Sequence, residues 1–127
     1  MATRNIVDTK FEVNNKSSFN INFRFVDSDG SVVTPSSAKV YVYVDGVGTT
    51  INNRDGSTNT SGFTTTDTNL INFDLAPADL TIADTSSASV RGFEAHRVII
   101  EVLYNADADK YIREYIIKIL HSPVFVT

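Results

Sequence analysis

Two stretches of this chain carry residue types that could do chemistry. The first is Asp27-Ser28-Asp29-Gly30. It reads like the opening of a calcium loop, where carboxylate oxygens converge on a hard cation and the glycine allows a sharp turn. The full motif needs a bidentate Glu about six residues past the glycine, and Ser36 and Ser37 occupy that region. The stretch therefore reads as a polar turn, to which Asp107 and Asp109 could add oxygens in space. The second stretch is Glu94-x-His96. Residues two apart on a strand project to one side, so this pair plus His121 would form a two-histidine, one-carboxylate set suited to zinc or iron. The simpler reading is polar surface at a strand end.

Nucleophilic catalysis finds less support. It needs a Ser or Thr activated by a histidine that a carboxylate orients, and the chain has only two histidines, with its serines and threonines gathered in turn-like segments. Neither Gly-x-Ser-x-Gly nor a phosphate-cradling glycine loop occurs. The absence of cysteine excludes disulfides and thiolate metal sites and points to folding in a reducing cytoplasm. The expectation is a protein that is not an enzyme, with no catalytic residue, bound metal or cofactor. The five tyrosines, Tyr41, Tyr43, Tyr104, Tyr111 and Tyr115, are the more interesting candidates. In strands they could pack in the core with the hydroxyl at the rim, anchor a protein interface, or stack on sugars.

The elements that must position these residues are strands. Phe19-Asn20-Ile21-Asn22-Phe23-Arg24-Phe25 puts four large apolar side chains on one face and three polar ones on the other, the period of a half-buried strand. Along the chain, Ile6 to Val13 reads as a weak edge strand or arm and Ser18 to Val26 as the best-patterned strand. Val32 and Val33 pair briefly after the Asp27–Gly30 turn. Ala38 to Val44 sets Val40, Val42 and Val44 against Tyr41 and Tyr43, and Asp45-Gly46 signals a hairpin returning through Thr49 to Ile51. Asn52 to Asp67, rich in Asn, Asp, Gly, Ser and Thr, reads as a long exposed contact loop. Asn69 to Leu75 follows as a strand. Ala76 to Asp84 is the one helix-like piece, with proline near its start, and Thr85 to Ser89 is a polar loop. Ala95 to Tyr104 and Tyr111 to Leu120 form a long hairpin. It puts Ile99, Leu103 and Ile116 on its outer face, opposite Val98, Ile100, Val102, Tyr104, Tyr115, Ile117 and Ile119.

Seven or so short strands with regular turn signals predict an all-β fold, a single immunoglobulin-like antiparallel β-sandwich with one short helix and extended termini. Its parts are an N-terminal arm or edge strand over 1–17, the sandwich over 18–121 and a tail over 122–127. A chain of 127 residues buries roughly two-thirds of its unfolded surface and needs no staple. Eleven basic against 15 acidic residues give a net charge of −4, with the signs interspersed. That argues against nucleic-acid binding and against a polybasic membrane contact. Met1-Ala2-Thr3-Arg4-Asn5 leads into polar residues, so no secretory signal is expected.

With these strands in view, the chain resembles the small immunoglobulin-like structural proteins of tailed bacteriophage particles. The residues that carry the resemblance are the alternating first strand and the Asp-x-x-Gly-x-Val-Val-x-Pro turn from Asp27 to Pro35. The valine-rich strand ending in Asp45-Gly46 and the late hairpin, from Glu94-Ala95-His96-Arg97-Val98 through Arg113-Glu114-Tyr115-Ile116-Ile117, complete it. The resemblance spans most of the chain from about Ser18. It implies a head decoration, cement or head–tail connector role in the virion, folding in the host cytoplasm and docking on capsid, portal or connector subunits. A homo-oligomer in the particle is implied too. The residues expected at such contacts are Tyr41, Tyr43, Phe63, Ile99, Leu103, Tyr111, Ile116, Val124 and Phe125. The alternative is a carbohydrate- or receptor-binding sandwich of tail-fibre or cell-surface type, which usually displays tryptophan; the chain has none.

Overall fold

Alternating segments can hide their apolar faces only against one another, and they do so as two stacked sheets. The computed structural model describes residues 3–27, 29–56, 60–66, 69–106 and 108–121. Its strands are β1 (Thr3–Asn14), β2 (Phe19–Arg24), β3 (Pro35–Val44), β4 (Thr50–Asp55), β5 (Phe63–Thr66), β6 (Leu70–Leu75), β7 (Phe93–Tyr104) and β8 (Asp109–Leu120). A 3₁₀ turn (Pro77–Leu80) and one short helix, α1 (Thr85–Arg91), lie between β6 and β7. One sheet has the order β1-β8-β7-β3-β4 and the other β2-β6-β5. The expected β-sandwich with a single short helix is what the chain forms.

The core fills the space between the sheets. Ile21, Phe23, Phe25, Ile71, Phe73 and Leu75 from the smaller sheet meet Val40, Val42, Val98, Ile100, Val102, Ile117 and Ile119 from the larger. These are the alternate residues that the sequence pattern assigns to one face of each strand. Aromatic rings bridge the layers, with Phe23 stacked on Tyr111 at 5.8 Å and Phe25 tilted against Tyr104 at 6.1 Å.

Several sequence expectations need correction. The sandwich is not wholly antiparallel, because β1 runs parallel to β8 from Thr3↔Lys110 to Asn14↔Leu120. The segment 52–67 is not simply a loop: the end of β4 and all of β5 lie in it. Asn52 and Asn53 adopt left-handed φ values of 54° and 55° and bulge β4, which breaks the alternation that a strand reading relies on. Residues 57–59, 67 and 68 of that segment lie outside the described residues. The helix falls at Thr85–Arg91, where a polar loop was expected, and the expected helix over 76–84 is only the 3₁₀ turn. Punctuation explains the placement. Asp84 caps the helix by accepting the Ser87 N–H at 3.1 Å, and Gly92 ends it at φ 87° with its N–H on the Ala88 carbonyl. Val32 makes one bridge to Val26, and β3 starts earlier than expected, at Pro35.

One glycine is fixed by close approach. Gly62 has φ 84°, and a Cβ there would sit 2.4 Å from the Asp74 carbonyl oxygen, because its own carbonyl accepts the Asp74 N–H at 3.0 Å. Gly62→Ala is expected to cost ~1–3 kcal/mol through strain and displacement of β5. Gly46→Ala, with open space around it, is expected to cost less; paired thermal denaturation curves check the order.

Candidate functional site

The outward side chains of the two sheets differ in kind. On the smaller sheet, Asn20, Asn22, Asn72 and Asp74 form an exposed amide ladder. The Asn20 Nδ2 donates to Asn72 Oδ1 at 2.8 Å and to Asp74 Oδ1 at 2.5 Å, and Asn22 Nδ2 donates to Asn20 Oδ1 at 2.9 Å. The side chains of that surface hydrogen-bond to one another. On the larger sheet apolar and aromatic outward residues stand among charged ones. The register places Tyr41 beside Ile99 and Tyr43 beside Arg97. Ile99 then lies beside Glu114, Arg97 beside Ile116, and Glu101 beside Ile112. Diagonal neighbours on a sheet face touch when their side chains are long. Tyr41, Tyr43, Ile99, Ile112 and Ile116 therefore make one continuous half-buried patch.

Several of the charges on this face are paired with each other. Arg97 bridges Asp45 (3.0 Å) and Glu114 (2.6 Å), and Lys110 reaches Glu101 at 3.1 Å. The Asp45 hydrogen bond is the largest influence holding Arg97 firmly protonated, with Glu114 adding to it. The Tyr41 hydroxyl donates to Glu101 at 3.3 Å; partial burial, and then the Glu101 charge, push its ionisation upward. A face whose cations and anions neutralise one another suits an apolar partner better than an ionic one.

Four expected contact residues, Tyr41, Tyr43, Ile99 and Ile116, thus share one surface. Leu103 belongs to the same strand but is only 7% exposed. Phe63 lies on the other sheet, half-buried and tilted against Phe73 at 6.5 Å. Tyr111 is a correction: it is 3% exposed and packs against Phe23 and Phe25, so it cannot meet a partner directly. Tyr104 and Tyr115 are core residues as well. Val124 and Phe125 lie outside the described residues. Sequence reasoning passed over Ile112, although it shares the parity of Ile116 on β8, because Glu114 and Lys118 made that face look polar.

Glu94 and His96 give the second correction. They are not surface residues: His96 is fully buried and Glu94 is 6% exposed. The His96 Nδ1 meets the Asp79 carbonyl at 3.0 Å and its Nε2 meets Glu94 Oε1 at 2.6 Å. A carbonyl only accepts, so Nδ1 carries hydrogen. Glu94 also accepts the N–H groups of Ala83 (2.8 Å) and Asp84 (2.9 Å), just before α1. Asp79 in turn receives the buried Arg54 guanidinium through Nε to Oδ1 and through Nη2 to Oδ2 at 3.0 Å. It also accepts Asn52 Nδ2 at 2.9 Å and the Ala76 N–H at 2.8 Å. The second use of Arg54 Nη2 is the Ser61 carbonyl at 2.8 Å, and its guanidinium lies 4.8 Å from the Phe73 ring centre. This clamp joins β4, the approach to β5, the 3₁₀ turn, the start of α1 and β7. The sequence signals only its Glu94-x-His96 pair; Asp79 and Arg54 stand too far away along the chain to form a motif with it.

The metal readings gain no geometry. The His121 N–H bonds the Gly92 carbonyl, and among the described residues no three His, Cys, Asp or Glu side chains are grouped to hold a metal. Asp27 uses Oδ1 to accept the N–H groups of Asp29 and Ser31, each at 2.9 Å, which is the polar turn. Burial, then the charges of Asp109, Asp27 and Asp29, push the Tyr104 hydroxyl up, so these acids share one end of the sandwich; Asp107 and Ser28 lie outside the described residues. Among the described residues no helix is long and apolar enough to cross a membrane. Comparison with protein-family models, curated proteins and solved structures finds no match to this chain.

The clamp makes two predictions. Burial pushes the Glu94 carboxyl up, but the Ala83 N–H, His96 and the Asp84 N–H outweigh it and hold it below its ordinary value of 4.5. A depressed carboxyl contributes stability that is complete above that value and is lost as the pH falls through the folded one. Denaturation midpoints should therefore fall on acidification below 4.5, with a flatter acid limb in Glu94→Gln. Asp79→Ala, which strands the Arg54 charge, is expected to cost ~3–5 kcal/mol. The double change Arg54→Met with Asp79→Leu should recover part of that loss in urea titrations.

Proposed function

We propose that this chain is a non-enzymatic structural protein of a tailed-phage particle, docking on capsid, portal or connector subunits through the outer face of its larger sheet. One observation carries the reading: that face presents Tyr41, Tyr43, Ile99, Ile112 and Ile116 together, while the other sheet presents an amide ladder. Two faces of one small sandwich have no reason to differ so much if both meet only water. Aromatic and aliphatic residues ringed by internally paired charges resemble the core and rim of a protein interface.

The strand order supports the immunoglobulin-like part of the reading. The orders β8-β7-β3-β4 and β2-β6-β5 correspond to the G-F-C-C′ and B-E-D arrangement of such sandwiches, with β1 moved onto the G-strand edge. Repetition around a symmetric particle would turn modest single contacts into firm attachment.

The reading is tested by mass spectrometry of purified particles, with copy number taken relative to the major capsid protein. A number in the hundreds supports capsid decoration, a small ring number supports a connector, and complete absence overturns the proposal. Ile99→Asp should leave the melting temperature nearly unchanged, since its side chain faces outward, while reducing incorporation by about tenfold or more, as expected for a charge buried in an interface core.

A further inference from the structure

Large apolar side chains scattered singly over a surface are ordinary, but here they are not scattered. Among the described residues the exposed large hydrophobics are Val32 at 63%, Val47 at 74% and Val90 at 87%, and all three lie at the ends of the sandwich. β7 marks the two ends, running from Phe93 to Tyr104. At the Phe93 end sit α1 with Val90 and the β3–β4 turn with Val47, where the Asp45 N–H donates to the Ala95 carbonyl at 2.9 Å. At the Tyr104 end, Phe25 packs on Tyr104 and leads into the turn that carries Val32.

The Phe93 end is shaped as a socket. A hollow of about 200 Å³ opens between the β3–β4 turn and α1, with Val44, Val47, Ala88 and Phe93 among its walls. Two cations stand over Phe93: the Arg91 guanidinium lies 4.7 Å and the Lys118 Nζ 4.8 Å from the ring centre. Neither forms an ion pair among the described residues, although Glu12 is the register neighbour of Lys118 on β1. Other carboxylates at this end are engaged: Asp45 with Arg97, Glu94 with His96, and Asp84 with the Ser87 N–H.

The Tyr104 end carries a stiff tip. Val26 and Val32 bridge, the Asp27 N–H donates to the Ser31 carbonyl at 2.9 Å, and the Gly30 N–H donates to the Asp27 carbonyl at 3.0 Å. With the Asp27 carboxylate accepting the N–H groups of Asp29 and Ser31 as well, the tip is held by its own hydrogen bonds. Asp29 and Val32 are exposed on it, and neither Asp27 nor Asp29 forms an ion pair among the described residues. Burial, then the charges of Asp109, Asp27 and Asp29, push the Tyr104 hydroxyl up, so negative potential gathers here, while Lys110 is held by Glu101.

We propose that the tip of one copy docks in the socket of a second, with Val32 entering the hollow beside Val47 and Val90 and the Asp27 and Asp29 carboxylates facing Arg91 and Lys118. Charge selects this pairing, since two sockets or two tips would set like charges together. The two surfaces differ, so the contact repeats head to tail into a ring or an open chain. A tip already stiff loses little freedom on docking, which favours binding through a small surface. The contact leaves Tyr41, Tyr43, Ile99, Ile112 and Ile116 uncovered and stands independently of the virion reading.

The test is sedimentation of the full chain across concentration, at low and at high ionic strength. Association is expected to rise with concentration and to weaken by about tenfold or more in high salt, where exposed charges are screened. Arg91→Glu and Asp29→Lys, both at exposed side chains, should each weaken it by about tenfold or more. Mixed in equal amounts, the two variants should associate again, because each supplies the surface that the other lacks. A chain that stays monomeric at every concentration overturns the proposal. So does association that survives both reversals, which would place the contact elsewhere, or a mixture that fails to recover. Should Arg91→Glu not fold, Lys118→Glu takes its place in the mixture.

Discussion

Burying a guanidinium and two carboxylates in a small sandwich is destabilising unless every polar atom finds a partner, and the Arg54–Asp79–His96–Glu94 clamp meets that demand. Its consequence is positional. The segment from Ala76 to Gly92 has few apolar side chains with which to hold itself to the sheets; Leu80, Ile82 and Ala88 are its core members. The clamp supplies the rest. Asp79 ties the 3₁₀ turn to β4, and Glu94 ties the start of α1 to β7. One end of the sandwich is thereby closed by hydrogen bonds where the middle is closed by hydrophobic burial. Such a closure is directional: a buried charge pair tolerates one geometry, whereas an apolar contact tolerates several.

The same division between directional and non-directional forces separates the two outer faces. Amide side chains in register on β2 and β6 satisfy one another. Tyrosine and isoleucine in register on β3, β7 and β8 leave apolar area facing outward even after the charges around them have paired. The internal pairing of Arg97 with Asp45 and Glu114 removes the electrostatic reason for an ion to bind there. What remains is shape and apolar area, the ingredients of contact with another protein.

Most of the sandwich was legible because period-two alternation is a direct record of burial. Phe19 to Phe25, Val40 to Val44 and the hairpin stretches Val98 to Val102 and Tyr115 to Ile119 point inward and outward as their patterns say. The parts that were illegible depend on interactions between distant residues. β4 looks like a loop because Asn52 and Asn53 bulge and Arg54 turns inward, and an inward arginine is read as polar surface until Asp79 is known to be opposite. Glu94 and His96 were misplaced for the same reason. Tyr111 could not be assigned to core or surface from type alone, since tyrosine serves both; only the layer of Phe23 and Phe25 across from it decides. The short helix was signalled by Asp84 and Gly92 but masked by its serines, which read equally well as a turn.

The parallel pairing of β1 with β8 has a consequence for how the chain acquires its shape. Thr3 must find Lys110 and Asn14 must find Leu120, contacts that span nearly the whole sequence. The smaller sheet needs only residues between Phe19 and Leu75, so it can form while synthesis continues. The larger sheet cannot close until β8 has left the ribosome, and the first strand made is among the last to be placed. Closing so large a loop is slow on entropic grounds. Until then β1 lacks its partner strand, and pairing this non-local lengthens the time in which a chain can mispair.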